Sequence, residues 1–174
     1  MKKVLIITVA MLLILMLGLL FVGCSVGPAQ RTAENGYMNE AVRNNDVTFT
    51  VSRVESAQEF TVGNTTRTAD GYFIKVTVTI HNDRSGHITV VPGSFGLFHG
   101  NSRIASHLHA SATLGFPSRS SRIEAGESLE ITVAFDAPTP HTAETYELSA
   151  RFDLLGQWSS GSGPQSRIVL TNRP

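Results

Sequence analysis

From Tyr72 to Asn82 the chain alternates without interruption: Tyr72, Ile74, Val76, Val78 and Ile80 interleave with Phe73, Lys75, Thr77, Thr79 and His81. A period of two places the two sets on opposite faces of a strand, and no helix can segregate them that way. The β-branched residues also suit a pleated, half-buried surface. This stretch is expected to be a central strand.

The same period recurs in Val47, Phe49 and Val51, in Leu129, Ile131, Val133 and Phe135, and in Tyr146, Leu148, Ala150 and Phe152. Shorter runs surround Ile88 and Val90, Phe95 and Leu97, Arg103 to Ala105, and Arg167 to Thr171. Between them stand turn signals: Asn82-Asp83-Arg84-Ser85-Gly86, Pro92-Gly93, His99-Gly100-Asn101 and Glu124-Ala125-Gly126-Glu127. Pro138 and Pro140 stop the strand before them, because proline cannot donate to a ladder. Residues 63–71 and 106–119 are expected to be loops, and Ala33 to Val42 a helical turn or two. Long amphipathic helices are missing, so parallel strands would lack their crossovers. The pattern predicts an all-β fold, an immunoglobulin-like antiparallel β-sandwich of seven to eight strands.

Ahead of this domain stands a different kind of sequence. Lys2 and Lys3 precede an uncharged apolar stretch over 4–22, which Gly23-Cys24 closes. A positive n-region, an apolar run and a small residue form a secretory signal. Residues Phe21-Val22-Gly23-Cys24 resemble the bacterial lipobox, which implies cleavage before Cys24 and a diacylglycerol thioether on that cysteine. The alternative is an uncleaved single-pass anchor at 4–22, since roughly 20 apolar residues span a bilayer. Either way the lysines hold the N-terminus inside, and the domain faces the extracytoplasmic side. The expected organisation is a lipoprotein signal peptide at 1–23, a flexible tether at 24–45 and the sandwich at 46–174.

Charge narrows the partners. The full chain has a formal net charge of zero. Without Lys2 and Lys3 it is slightly acidic, and Lys75 is its one remaining lysine. Nucleic acid, which needs a basic stripe, is not an expected partner.

One order of elements is more specific. The strand ending in Asn82 leads to Ile88 and Val90, then to Ser94-Phe95-Gly96-Leu97. Ile123-Glu124-Ala125-Gly126-Glu127-Ser128 and Val133-Ala134-Phe135-Asp136-Ala137-Pro138 follow. Over residues 46–171 this order resembles the telokin-like, immunoglobulin-related domain of unknown function found in bacterial lipoproteins. That group is related to a secreted mycobacterial immunoprotective antigen. The resemblance implies a sandwich and brings no catalytic residues with it.

Few residues suggest chemistry. His107 and His109 would share a face if extended, and His99 could join them as a third metal ligand. A solvated pair of loop histidines is the commoner outcome of such spacing. Trp158, among Ser, Gly and Gln, is either an exposed anchor for a partner or a lid folded over one end of the sandwich. Asn64-Thr65-Thr66 reads as a turn. No nucleophile elbow or phosphate-binding loop is present, and neither enzymatic activity nor a cofactor is expected. The expected role is a non-enzymatic binding module of the cell envelope, held to the membrane through lipid on Cys24 and contacting an envelope or extracellular protein. The alternative is an extracytoplasmic carrier or sensor for a metal or small ligand.

Overall fold

The computed structural model describes residues 34–116, 120–152 and 166–172. Within them the chain forms strands β1 (Asn35–Tyr37), β2 (Ala41–Arg43), β3 (Val47–Val62), β4 (Thr65–Asn82), β5 (Ile88–Val90), β6 (Phe95–His99) and β7 (Ser102–Ala105). Helix α1 (Leu108–Thr113) follows, and then β8 (Ser121–Ile123), β9 (Ser128–Ala137), β10 (Glu147–Ala150) and β11 (Arg167–Val169). One sheet runs β2-β3-β4-β9 and another β1-β11-β10-β6-β7, while β5 and β8 form a small pair. The fold is an all-β sandwich, with eleven strands among the described residues where the alternation alone predicted seven to eight.

The core follows directly from the period of two. Val47, Phe49 and Val51 of β3, Ile74, Val76, Val78 and Ile80 of β4, and Ile131, Val133 and Phe135 of β9 are all buried. Phe95, Leu97, Leu148, Ala150 and Ile168 belong to the same cluster from the five-stranded sheet. Phe152 meets Phe49 and Phe95 edge-on, with centroids 6.0 and 6.1 Å apart. That geometry suits the ring quadrupoles. Each such side chain withdrawn from water contributes about 1.5–3 kcal/mol. Tyr146, fully buried, keeps its hydroxyl satisfied at Thr139, 2.7 Å from its Oγ1 and donating to its carbonyl at 3.2 Å.

The expected tether over 24–45 ends before β1, and the expected helical turn within it is absent. β1 pairs in parallel with β11, and β2 pairs antiparallel with β3 from Ala41↔Thr50 to Arg43↔Thr48. Asn39, at φ 66°, turns the chain between them, a backbone region asparagine tolerates better than most residues. The Ser166 hydroxyl donates to the Arg43 carbonyl at 2.8 Å and accepts the Glu34 N–H at 3.2 Å. The sandwich therefore begins at β1, not at residue 46. Each of these strands is three residues long, too short for periodicity to register.

The loop expected at 63–71 is also different. β3 and β4 form one long hairpin that turns at Gly63-Asn64. Ala57 pairs with Phe73 and Glu59 with Thr68, so Ala69 to Tyr72 bulge out opposite Gln58. The Asp136 carboxylate holds this bulge, accepting the N–H groups of Asp70 at 2.9 Å and Gly71 at 3.1 Å. Ala69-Asp70-Gly71 therefore interrupts a strand without ending it.

Candidate functional site

The outward-facing residues of β3, β4 and β9 carry a charged cleft. Register puts Arg53 beside Thr77 and Glu55 beside Lys75, and Thr77 beside Thr132. The Lys75 ammonium lies 2.7 Å from Glu55, and the Arg53 guanidinium pairs with the same carboxylate. Lys75, hydrogen-bonded to it, and then Arg53 hold the Glu55 carboxyl below the usual carboxylate range. The Lys75 side chain is only 18% exposed. Its Nζ also lies 5.7 Å from the centre of the Phe60 ring. The hydroxyls of Thr77 and Thr132 are 3.2 Å apart. Arg53, Glu55, Lys75, Thr77, Leu114 and Thr132 line a cleft of about 170 Å³.

One side of the cleft is built by the segment expected to be a loop at 106–119, which instead contains α1. His107 caps this helix, its Nδ1 accepting the Ala110 N–H at 3.1 Å. The His107 N–H donates to the Ala134 carbonyl at 2.7 Å, and the buried Ser111 hydroxyl accepts the Ala134 N–H at 3.0 Å. The helix segment thereby satisfies the outer edge of β9, which would otherwise offer unpaired groups to another strand. Phe73, Ala110 and Ala134 form a second buried cluster, with Phe60, Ala69 and Leu114 packed against it. Arg67 Nε donates to the Thr113 hydroxyl at 3.0 Å, joining the hairpin arm to the helix. Leu108 on α1 and Val62 at the hairpin tip are the exposed large apolar side chains of the described residues.

The three histidines weighed as metal ligands against a solvated loop pair do not assemble. His107 and His109 are neighbours, with ring centroids 6.5 Å apart, but His107 Nδ1 is committed to the helix cap and its ring lies edge-on to Phe73. His99 sits at the end of β6, its Nε2 3.2 Å from Glu144 and its ring against Tyr146. Among the described residues no group of three or more histidine, cysteine or acidic side chains could hold a metal. Trp158, Cys24 and the recognition residues Phe21, Val22 and Gly23 lie outside the described residues. The stretch 4–22 does too, and among the described residues no helix is long and apolar enough to cross a membrane.

The family described as a domain of unknown function, DUF4352, matches residues 37–157. The chain belongs to the DUF4352 family. No curated protein matches it. Among solved structures it is similar to the candidate lipoprotein YcdA of Bacillus subtilis, with 14% identity and a TM-score of 0.53 over 75% of this chain. The chain spans 38% of YcdA. The YjhA protein of Bacillus subtilis is similar at 17% identity and a TM-score of 0.55, over 78% of this chain and 98% of that one. The secreted protein MPT63 of Mycobacterium tuberculosis is similar at 14% identity and a TM-score of 0.50, over 80% and 98%. At these identities the likeness is one of fold. The resemblance read from the order of strands, to a sandwich related to a secreted mycobacterial antigen, is borne out.

The residues of the cleft escaped the sequence reading. Arg53, Glu55 and Lys75 sit on two strands about twenty residues apart and meet only through register. One local signal was available: a lysine in the middle of the most apolar strand, where a charge requires a partner.

Proposed function

We propose that this DUF4352 domain is a non-enzymatic binding module of the cell envelope, anchored outside the cytoplasmic membrane through lipid on Cys24. The observation that carries the binding role is the outer-face shelf, where the helix segment and the hairpin arm flank the Arg53, Glu55 and Lys75 cleft beside Leu114. A half-buried lysine held between a carboxylate and an aromatic ring is an oriented charge, and oriented charges beside apolar groups give a surface specificity. The lipobox-like end of the leader supports the anchor. A lipoprotein candidate and a secreted protein among the structures of similar fold are consistent with an extracytoplasmic site of action.

A second reading, an extracytoplasmic carrier or sensor of a small ligand, draws on the same cleft. The cleft, of about 170 Å³, is lined mainly by charged and hydroxyl side chains, so its ligand would be small and polar.

The test is crosslinking in intact cells with the wild type, Cys24→Ala and Arg53→Glu, followed by fractionation and mass spectrometry of the adducts. The proposal expects Cys24→Ala to leave the membrane fraction and a defined envelope protein to be captured by the wild type and lost with Arg53→Glu. A Cys24→Ala protein that stays membrane-bound would sink the lipid anchor. Adducts that are identical with and without Arg53 would remove the shelf as the contact.

A further inference from the structure

At the other end of the same sheet face, register aligns Thr48 of β3 with His81 of β4, and His81 with Ser128 of β9. Their strand neighbours Val47, Phe49 and Ile80 point into the core, so these three side chains point outward. Asp83 follows His81 by two residues, and its N–H donates to the Asp46 carbonyl at 3.1 Å. The four side chains follow one another in a row, with hydrogen bonds at its two ends and a close imidazole–carboxylate approach between them. Ser128 Oγ lies 2.9 Å from His81 Nδ1, His81 Nε2 lies 3.3 Å from Asp83 Oδ1, and the Thr48 hydroxyl donates to Asp83 Oδ2 at 2.7 Å.

Elementary bonding rules give this row a direction. An ionised carboxylate can only accept, so Asp83 selects the tautomer in which Nε2 carries the proton. Nδ1 is then a lone pair, and the Ser128 hydroxyl must be the donor to it. The result is hydroxyl to imidazole to carboxylate, the polarity that activates serine nucleophiles, although the two ring nitrogens exchange their usual places. Thr48 positions the carboxylate, as does the backbone bond of Asp83 to Asp46. The turn behind them is fixed by the buried Asn82, whose side-chain amide donates to the carbonyls of Gly86, Ile123 and Glu124. The His81 side chain is 42% exposed and that of Asp83 30%, so an electrophile in solution can approach.

We propose that Ser128 is a nucleophilic serine, a covalent modification site that accepts an acyl or phosphonyl group from a small activated electrophile. With an ester, the Ser128 Oγ–C bond forms as the hydroxyl proton passes to His81 Nδ1. Asp83 stabilises the imidazolium. The tetrahedral adduct then collapses: the bond to the leaving oxygen breaks with its electron pair, and that oxygen takes the proton from Nδ1. The products are acyl-Ser128 and an alcohol, with His81 neutral again. This inference is independent of the binding role proposed above.

The probe is an alkyl fluorophosphonate, applied to the detergent-solubilised full chain, with adducts mapped by peptide mass spectrometry. The expected result is an adduct at Ser128, formed with loss of fluoride about a hundred-fold faster than at exposed Ser52. His81→Gln should abolish that excess, and Asp83→Asn should weaken it. Should His81→Gln fail to fold, Asp83→Asn decides alone. Labelling of Ser128 no faster than Ser52, or unchanged by these substitutions, overturns the proposal and leaves a cross-strand clasp.

Discussion

Gly71 passes so close to Ala137 that a Cβ on it would stand 2.3 Å from the Ala137 carbonyl oxygen. The contact lies at the bulge of β4 and beside the last register pair with β9, Tyr72↔Ala137. The obstacle is backbone and cannot swing aside. Gly71→Ala is therefore expected to destabilise the domain by about 1–3 kcal/mol, the range for overpacking. Urea unfolding would show it as a lower midpoint. An unchanged midpoint would mean that the two strands part without penalty.

Asn82 closes the opposite end of the same strand. It is fully buried, and its amide serves three carbonyls while its Oδ1 accepts the Arg84 N–H at 3.1 Å. Asn82→Ala leaves those groups without partners and is expected to cost about 2–4 kcal/mol. The denaturant slope should stay the same, since the surface exposed on unfolding does not change.

Glu55 supplies a pH dependence. Its carboxyl titrates below its ordinary value when folded, first because of Lys75 and then Arg53. The stabilisation is therefore present above the unfolded-state pKa of about 4.3 and is lost as pH falls through the lower folded value. Because the side chain is 37% exposed, solvent screening limits the effect. Glu55→Gln should be less stable than the wild type near neutrality by under about 1 kcal/mol, and the two should converge in acid. Thermal unfolding across pH measures the gap. A gap that widened in acid would contradict the sign.

The histidines make a further prediction. With His99 engaged by Glu144 and His107 committed to its helix cap, added zinc or copper should leave the melting temperature of the domain unchanged. A concentration-dependent rise would show that the three rings reorganise around a metal.

Much of the sandwich was legible because burial and alternation are the same fact on a strand. Ile74, Val76, Val78 and Ile80 are inward as their spacing requires, and so are Val47, Phe49 and Val51. Weaker signals failed where elements were short or their support remote. β2 buries one side chain, Val42, and β1 depends on β11, more than a hundred residues later in the chain. Helix α1, six residues long, is held by Ala134 of β9 and by the hairpin arm, neither of which lies near it in sequence. Ala69-Asp70-Gly71 carries every mark of a loop, yet Asp136 turns it into a bulge.

For the long alternating runs, the amino-acid sequence by itself determined which residues form strands and which side faces the core, because both follow from a local period and from the cost of exposing apolar surface. The tertiary structure alone decided which strands lie side by side and in what register. Glu55 meets Lys75, and His81 meets Ser128, through pairings set by the summed fit of two whole strands. No single residue carries that information. Surface chemistry depends on register, and register is a property of the assembled sheet.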